Sequence, residues 1–137
     1  MALKITDAMT RRIVYCTPTS TVRDIAALMR EKNISCVIVL ENNTTCGIVT
    51  QHDLVSRVMA AGLDPKRTVA SEVMSKPVVT VSSSADLTDA ARIMRDKRIK
   101  KLIAVKDGVA EGIITSFDII VAAPAMRFLL ERTNRGR

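Results

Sequence analysis

The chain is written twice. The segment GIVTQHD at 47–53 returns as GIITSFD at 112–118, and one spacing of 65 residues also relates Met9 to Met74, Val14 to Val79, Asp24 to Asp89, Met29 to Met94 and Ile34 to Ile99. No gap interrupts the register from TDAMTRRIV at 6–14, with SEVMSKPVV at 71–79, to DLV at 53–55 with DII at 118–120. A register held over so many positions is a duplication, and it restricts the fold to one that builds the same small unit twice and packs the copies together.

The order of elements within a copy is legible. RIVYC and PVVTV are short β-branched runs that end in turn residues, as strands do. Thr21 to Lys32 then sets Val22, Ile25, Ala26 and Met29 on one helical face, with Thr21 and Asp24 spaced as a capping box. Asp86 to Lys97 repeats this helix with Leu87, Ala90, Ala91 and Met94. CVIVL at 36–40 and LIAV at 102–105 are apolar runs too short for helices and read as buried strands. ENNTTC and KDGVAE read as turns, GIVT and GIIT as returning strands, and a second helix begins near residue 51 or 116. The unit is strand, helix, strand, strand, helix. Gly62 and Pro65 mark a linker over 62–70 between a first domain at 6–61 and a second at 71–123, and Pro124 interrupts the last helix ahead of a basic tail at 124–137.

A core for this unit must come from Ile, Val, Leu, Ala and Met, because 47% of the 137 residues are hydrophobic but only 2% aromatic. Met29, Met59, Met74, Met94, Met126 and Phe117 are expected in it, with His52 at the surface. No apolar run approaches the ~18 residues of a membrane span, and the N-terminal MALKITDAMTRR is unlike a signal peptide, so the expected location is cytoplasmic. Three cysteines without C-x-x-C spacing suggest reduced, buried thiols, and a single histidine argues against a metal site. The formal charge of +7 favours anionic partners without naming one.

Thr50-x-x-Asp53 and Thr115-x-x-Asp118 carry two readings. A threonine hydroxyl and a carboxylate three residues later cap a helix start, and a duplicated helix would copy them without any ligand. The same strand-to-helix junction also offers unpaired N–H groups to a phosphate, and an aspartate there suits a ribose diol. Gly47 and Gly112 allow a turn or a close backbone approach where the returning strand begins.

Taken whole, the repeated "DAMT…TVRDIAALMREKNISCVIVLENNTTCGIVTQHDLV" and "EVMS…DLTDAARIMRDKRIKKLIAVKDGVAEGIITSFDII" resembles the tandem CBS-domain pair, the module named after cystathionine beta-synthase. The resemblance covers about residues 6 to 121. It implies an α/β (α+β) fold of two β-α-β-β-α repeats packed through their sheets as a pseudo-twofold pair. It further implies two clefts that take AMP, ADP, ATP or S-adenosylmethionine as regulatory ligands, a homodimer, and a regulated protein that reads the change. It implies no catalytic residue and no catalytic cofactor. Asp53 and Asp118 match the family's ribose-binding aspartates, and Thr50 and Thr115 its phosphate-side hydroxyls. Ile13, Val14, Val78 and Val79 match the strand that walls the base in the opposite copy's cleft. Ile34 and Ile99 would pack on the base, with Ser35, Cys36, Lys100 and Lys101 lining the cleft after them. The neutral Ser35–Cys36 against the cationic Lys100–Lys101 predicts unequal sites, although two lysines also suit an exposed basic end of a helix. Nucleic-acid binding through the basic surface and the tail residues Arg127, Arg132, Arg135 and Arg137 is the alternative function, opposed by the scarcity of stacking aromatics.

Overall fold

Each copy builds a three-stranded sheet of the same order. In the first, β1 (Tyr15–Cys16) runs parallel to β2 (Cys36–Glu41), which pairs antiparallel with β3 (Thr44–Thr50). In the second, β4 (Thr80–Ser82), β5 (Lys101–Lys106) and β6 (Val109–Thr115) repeat the arrangement. The structure, a computed structural model, describes residues 2–131, so Arg132, Arg135 and Arg137 of the tail lie outside the described residues. The parallel β1–β2 step requires a crossover, and α1 (Val22–Lys32) supplies it, as α4 (Leu87–Lys97) does in the second copy.

The hairpins are tighter than the sequence suggested. Asn42 and Asn43 have φ of 52° and 62°, and Asp107 and Gly108 have 52° and 78°, the successive positive angles of a primed two-residue turn. Thr44–Cys46 and Val109–Glu111, expected in the turns, therefore belong to the strands. Gly47 and Gly112 sit inside β3 and β6, where each lies opposite the residue at which the ladder shifts register. The first strands are shorter than expected. Ile13, Val14, Val78 and Val79 precede β1 and β4, and only the carbonyls of Val14 and Val79 join the sheets, accepting from the Ile38 and Ile103 amides at 2.9 and 3.1 Å.

Helix α1 begins on Thr21, whose hydroxyl accepts the Asp24 amide at 3.2 Å, and α4 begins on Asp86. Both helices stop on a left-handed residue, Asn33 or Arg98, after which the Ile34 or Ile99 amide returns to the Met29 or Met94 carbonyl. Two helical turns went unread in the sequence, Ile5–Asp7 and α3 (Ala70–Val73), and α2 (Gln51–Asp53) continues as a π-helical stretch, Leu54–Met59. Helix α5 (Ser116–Ala122) ends before Pro124, which starts the 3-10 segment Pro124–Leu130, as the proline predicted.

The chain divides into two units, Val14–Val78, and Val79–Arg137 together with Met1–Ile13. In the first, Val22, Ile25 and Met29 of α1 pack on Val37, Val39 and Val49 of the sheet, together with Val58 and with Ala70 and Val73 of α3. In the second, Leu87, Ala90, Ala91 and Met94 of α4 pack on Leu102, Ala104 and Ile114, with Ile5 and Met9 from the N-terminal arm, Ile119, and Leu130. Phe117 and Met59, expected in the core, are exposed at 72% and 77%. Ala26, expected on the buried face of α1, is also exposed.

Candidate functional site

The two Thr-x-x-Asp motifs fall where β3 runs into α2 and β6 into α5. Their threonines take nearly the same extended conformation, φ −109°, ψ 166° at Thr50 and φ −112°, ψ 162° at Thr115, which turns the chain from strand to helix in a single residue. Each motif is a closed reciprocal box. The Thr50 hydroxyl accepts the Asp53 amide at 3.2 Å while Asp53 Oδ2 accepts the Thr50 amide at 2.9 Å. For Thr115 and Asp118 the corresponding distances are 3.1 and 2.9 Å. Capping is therefore present in both copies, and it consumes one oxygen of each carboxylate.

The neighbouring strand brings the next candidates to the same end. Thr50 lies opposite Cys36, and the Gln51 amide donates to the Ser35 carbonyl at 3.0 Å. Thr115 lies opposite Lys101, and the Ser116 amide donates to the Lys100 carbonyl at 2.9 Å. Ser35 and Lys100 are exposed, Cys36 is buried, and Lys101, Ile34 and Ile99 are partly buried. The first copy thus presents a neutral edge beside its threonine and the second a cationic one. Neither lysine closes a helix: α4 ends at Lys97, and Lys101 opens β5.

The base-wall candidates separate. Ser75 pairs with Ile48 of β3 through amide–carbonyl bonds of 3.1 and 2.8 Å, and Thr10 pairs with Ile113 of β6 at 2.8 and 2.9 Å. Val78 accordingly shares a unit with Thr50 and Asp53, and Ile13 with Thr115 and Asp118, while Val14 and Val79 follow their own copies' sheets. All four are partly buried.

Beyond the boxes, the aspartates differ. Asp53 is 2% exposed, and its Oδ1 accepts the Ser75 hydroxyl at 3.0 Å with the Arg57 guanidinium 3.9 Å away. Arg57 Nη1 also donates to the Val73 and Met74 carbonyls at 2.9 and 3.1 Å, tying the π-helical stretch to the end of α3. Asp118 is only partly buried, and among the described residues no donor reaches its second oxygen. Sequence reasoning missed Ser75 and Arg57. The signal was nonetheless in the repeat, because their counterparts 65 residues away are Thr10 and Ala122.

Cys16 and Cys36 are buried and Cys46 is partly so. Burial pushes the Cys16 thiol up to about 11, with Cys46 reinforcing it and a hydrogen bond with Ser20 opposing it. A thiol so placed stays protonated at neutral pH and is a poor nucleophile. Among the described residues, no helix is long and apolar enough to cross a membrane, and no group of three His, Cys, Asp or Glu side chains could hold a metal ion.

A duplicated β-α-β-β-α unit with this helix start is that of a known module, and the chain belongs to the CBS-domain family, whose model matches residues 5–60 and again 70–125. A protein of Methanopyrus kandleri is 36% identical over 132 residues, covering 95% of this chain and 67% of its own length. The CBS domain-containing protein YhcV of Bacillus subtilis is 31% identical over 117 residues, covering 85% of this chain and 83% of its own. Among solved structures, a hexameric CBS-CP12 protein from bloom-forming cyanobacteria superimposes with a TM-score of 0.84 at 32% identity, over 93% of this chain and 75% of that one. The chain is thus a CBS-domain pair, a kind of module that is generally regulatory and senses nucleotides.

Proposed function

We propose that this CBS pair is a regulatory module that binds an adenosine-containing ligand, AMP, ADP, ATP or S-adenosylmethionine, and passes the change in its packing to a protein partner without catalysing a reaction. The observation that carries the reading is the Thr115–Asp118 junction. There the box fixes the carboxylate, and among the described residues one of its oxygens has no donor. A ribose diol supplies two hydroxyl donors to such a group, and hydrogen bonds to a charged acceptor are the stronger kind. Exposed Lys100, just ahead of the strand beside that junction, suits a phosphate chain, as does the net charge of +7. Ile13, Val79, Ile99 and Lys101 are proposed as the remaining ligand neighbours there, and Thr50, Asp53, Ile34, Ser35, Cys36, Val14 and Val78 hold the equivalent positions in the first copy. Regulation requires only that the ligand prefer one arrangement of the module, a coupling of about 1–3 kcal/mol.

Titration calorimetry with AMP, ADP, ATP and S-adenosylmethionine tests the reading. We expect at least one of them to bind and Asp118→Ala to weaken it by about tenfold or more, the loss of a charged hydrogen-bond acceptor. No heat and no thermal shift with any of the four would refute it.

The partners proposed for the chain include a second copy of itself. Val55 and Met59 on the π-helical stretch of the first unit, and Phe117 and Val121 on α5 with Phe128 on the 3-10 segment of the second, are each more than half exposed, which gives each unit exposed apolar side chains for a partner to cover. The cyanobacterial relative is itself hexameric. Light scattering should give at least twice the mass of one chain, and Met59→Glu with Phe117→Glu should reduce it to one. A monomeric wild type would remove this part of the proposal.

A further inference from the structure

Two copies of one motif have kept the same backbone and diverged in side-chain chemistry. Ser75 and Thr10 occupy equivalent positions, and both pair through the backbone with the strand that leads into the motif. Ser75 turns its hydroxyl onto Asp53 Oδ1 at 3.0 Å, whereas Thr10 is exposed and makes no side-chain hydrogen bond with Asp118 among the described residues. Arg57 stands 3.9 Å from the same Asp53 oxygen, and its equivalent is Ala122, which has no polar side chain. Asp53 at 2% exposure therefore has both oxygens engaged by its own unit: Oδ2 by the Thr50 amide, Oδ1 by Ser75 with Arg57 close by.

We infer that Asp53 is a structural tie rather than a ligand carboxylate, that Ser75 and Arg57 are the positioning residues that hold it so, and that nucleotide binding by this chain is confined to the second copy. The inference rests on the nucleotide reading above for its binding half alone. A ribose reaching Asp53 would have to displace the Ser75 hydroxyl from a buried carboxylate, and any hydrogen bond gained there is offset by the one lost. At Asp118 a diol meets an oxygen with no donor to displace among the described residues. The neutral Ser35–Cys36 edge and the exposed Lys100 bias a phosphate-bearing ligand in the same direction.

Equilibrium dialysis of the full chain with radiolabelled AMP and ATP, together with thermal unfolding of three variants, tests the inference. Saturation should come at one equivalent per chain. Asp118→Asn should weaken binding about tenfold or more and move Tm little, because among the described residues its outer oxygen accepts no hydrogen bond. Ser75→Ala should leave affinity within about twofold yet lower Tm by roughly 3–6 °C, because it strips a donor from a buried carboxylate. Asp53→Asn should lower Tm further with the same stoichiometry, and if it fails to fold, Ser75→Ala still decides. Two equivalents per chain, or a Ser75→Ala variant with altered affinity and unchanged Tm, would overturn the assignment. If the wild type binds neither nucleotide, the confinement of AMP and ATP binding to the second copy falls, calorimetry with all four ligands still decides the nucleotide reading, and the Tm values alone decide whether Asp53 is a tie.

Discussion

Leu130→Ala should lower Tm by about 10 °C, a large effect for a residue so near the C-terminal end of the chain. Leu130 is fully buried, and it enters the second unit's core on the 3-10 segment that packs against α4 and α5. Removing three buried heavy atoms from a leucine costs about 2–5 kcal/mol, and for a domain of this size each kcal/mol moves Tm by about 3–5 °C. The repeat explains why room exists for it. At one register, α1 carries Ile25 where α4 carries Ala90, and Ala26 is exposed where Ala91 is fully buried. Small residues on α4 let a further apolar segment lie close, and Pro124–Leu130 brings that segment in. A paired control follows: Ala26→Glu should change the unfolding free energy measured in urea by no more than an exposed helical substitution does, about 0.5 kcal/mol, while Ala91→Glu buries an unpaired charge and should unfold the unit. Equal effects at positions 26 and 91 would dismiss the account.

The contrast between these alanines marks how far the sequence could be read. Periodicity placed Val22, Ile25 and Met29 on the buried face of α1 correctly, because each has apolar partners on its own copy's sheet. The same pattern misplaced Ala26, since whether an alanine is covered depends on a second layer that the copy does not contain. Phe117 failed for a related reason. Apolar character argued for the core, but the second residue of α5 is exposed, as its equivalent His52 is in the first copy. The candidate site was legible where one copy repeats the other, in Thr50, Asp53, Thr115 and Asp118, since a capping box is a local device of four residues. The hydrogen bond from Ser75 to Asp53 spans 22 residues and depends on which strand the arm before β4 pairs with, which no local spacing encodes.

That pairing also decides why glycine stands at positions 47 and 112, and it predicts that the two are not equally replaceable. Neither needs a positive φ, so close approach is the cause. A Cβ on Gly47 would meet the side chain of Met74, and a Cβ on Gly112 would meet that of Met9, the two methionines with which the repeat begins. At Gly112 it would in addition come within 2.9 Å of the Thr10 carbonyl oxygen. Methionine is unbranched and adapts, so Gly47→Ala should be absorbed by rotation of the partly buried Met74, at about 1 kcal/mol. The Thr10 oxygen has no such freedom, because it accepts the Ile113 amide at 2.9 Å while the Thr10 amide donates to Ile113 at 2.8 Å. Gly112→Ala must push the arm off β6 and weaken both bonds, so we expect a loss of about 2–4 kcal/mol, the overpacking cost plus that of the opened pair. Hydrogen exchange distinguishes this from a general loss of stability: the Ile113 and Thr10 amides should lose protection in Gly112→Ala well before those of β5. Because the arm carries Ile13 toward Thr115 and Asp118, the same variant should weaken nucleotide binding even at temperatures where the unit remains folded. A Gly112→Ala protein as stable as Gly47→Ala, with Ile113 still protected, would show that the carbonyl contact is soft and that the motif's glycine answers to some other constraint.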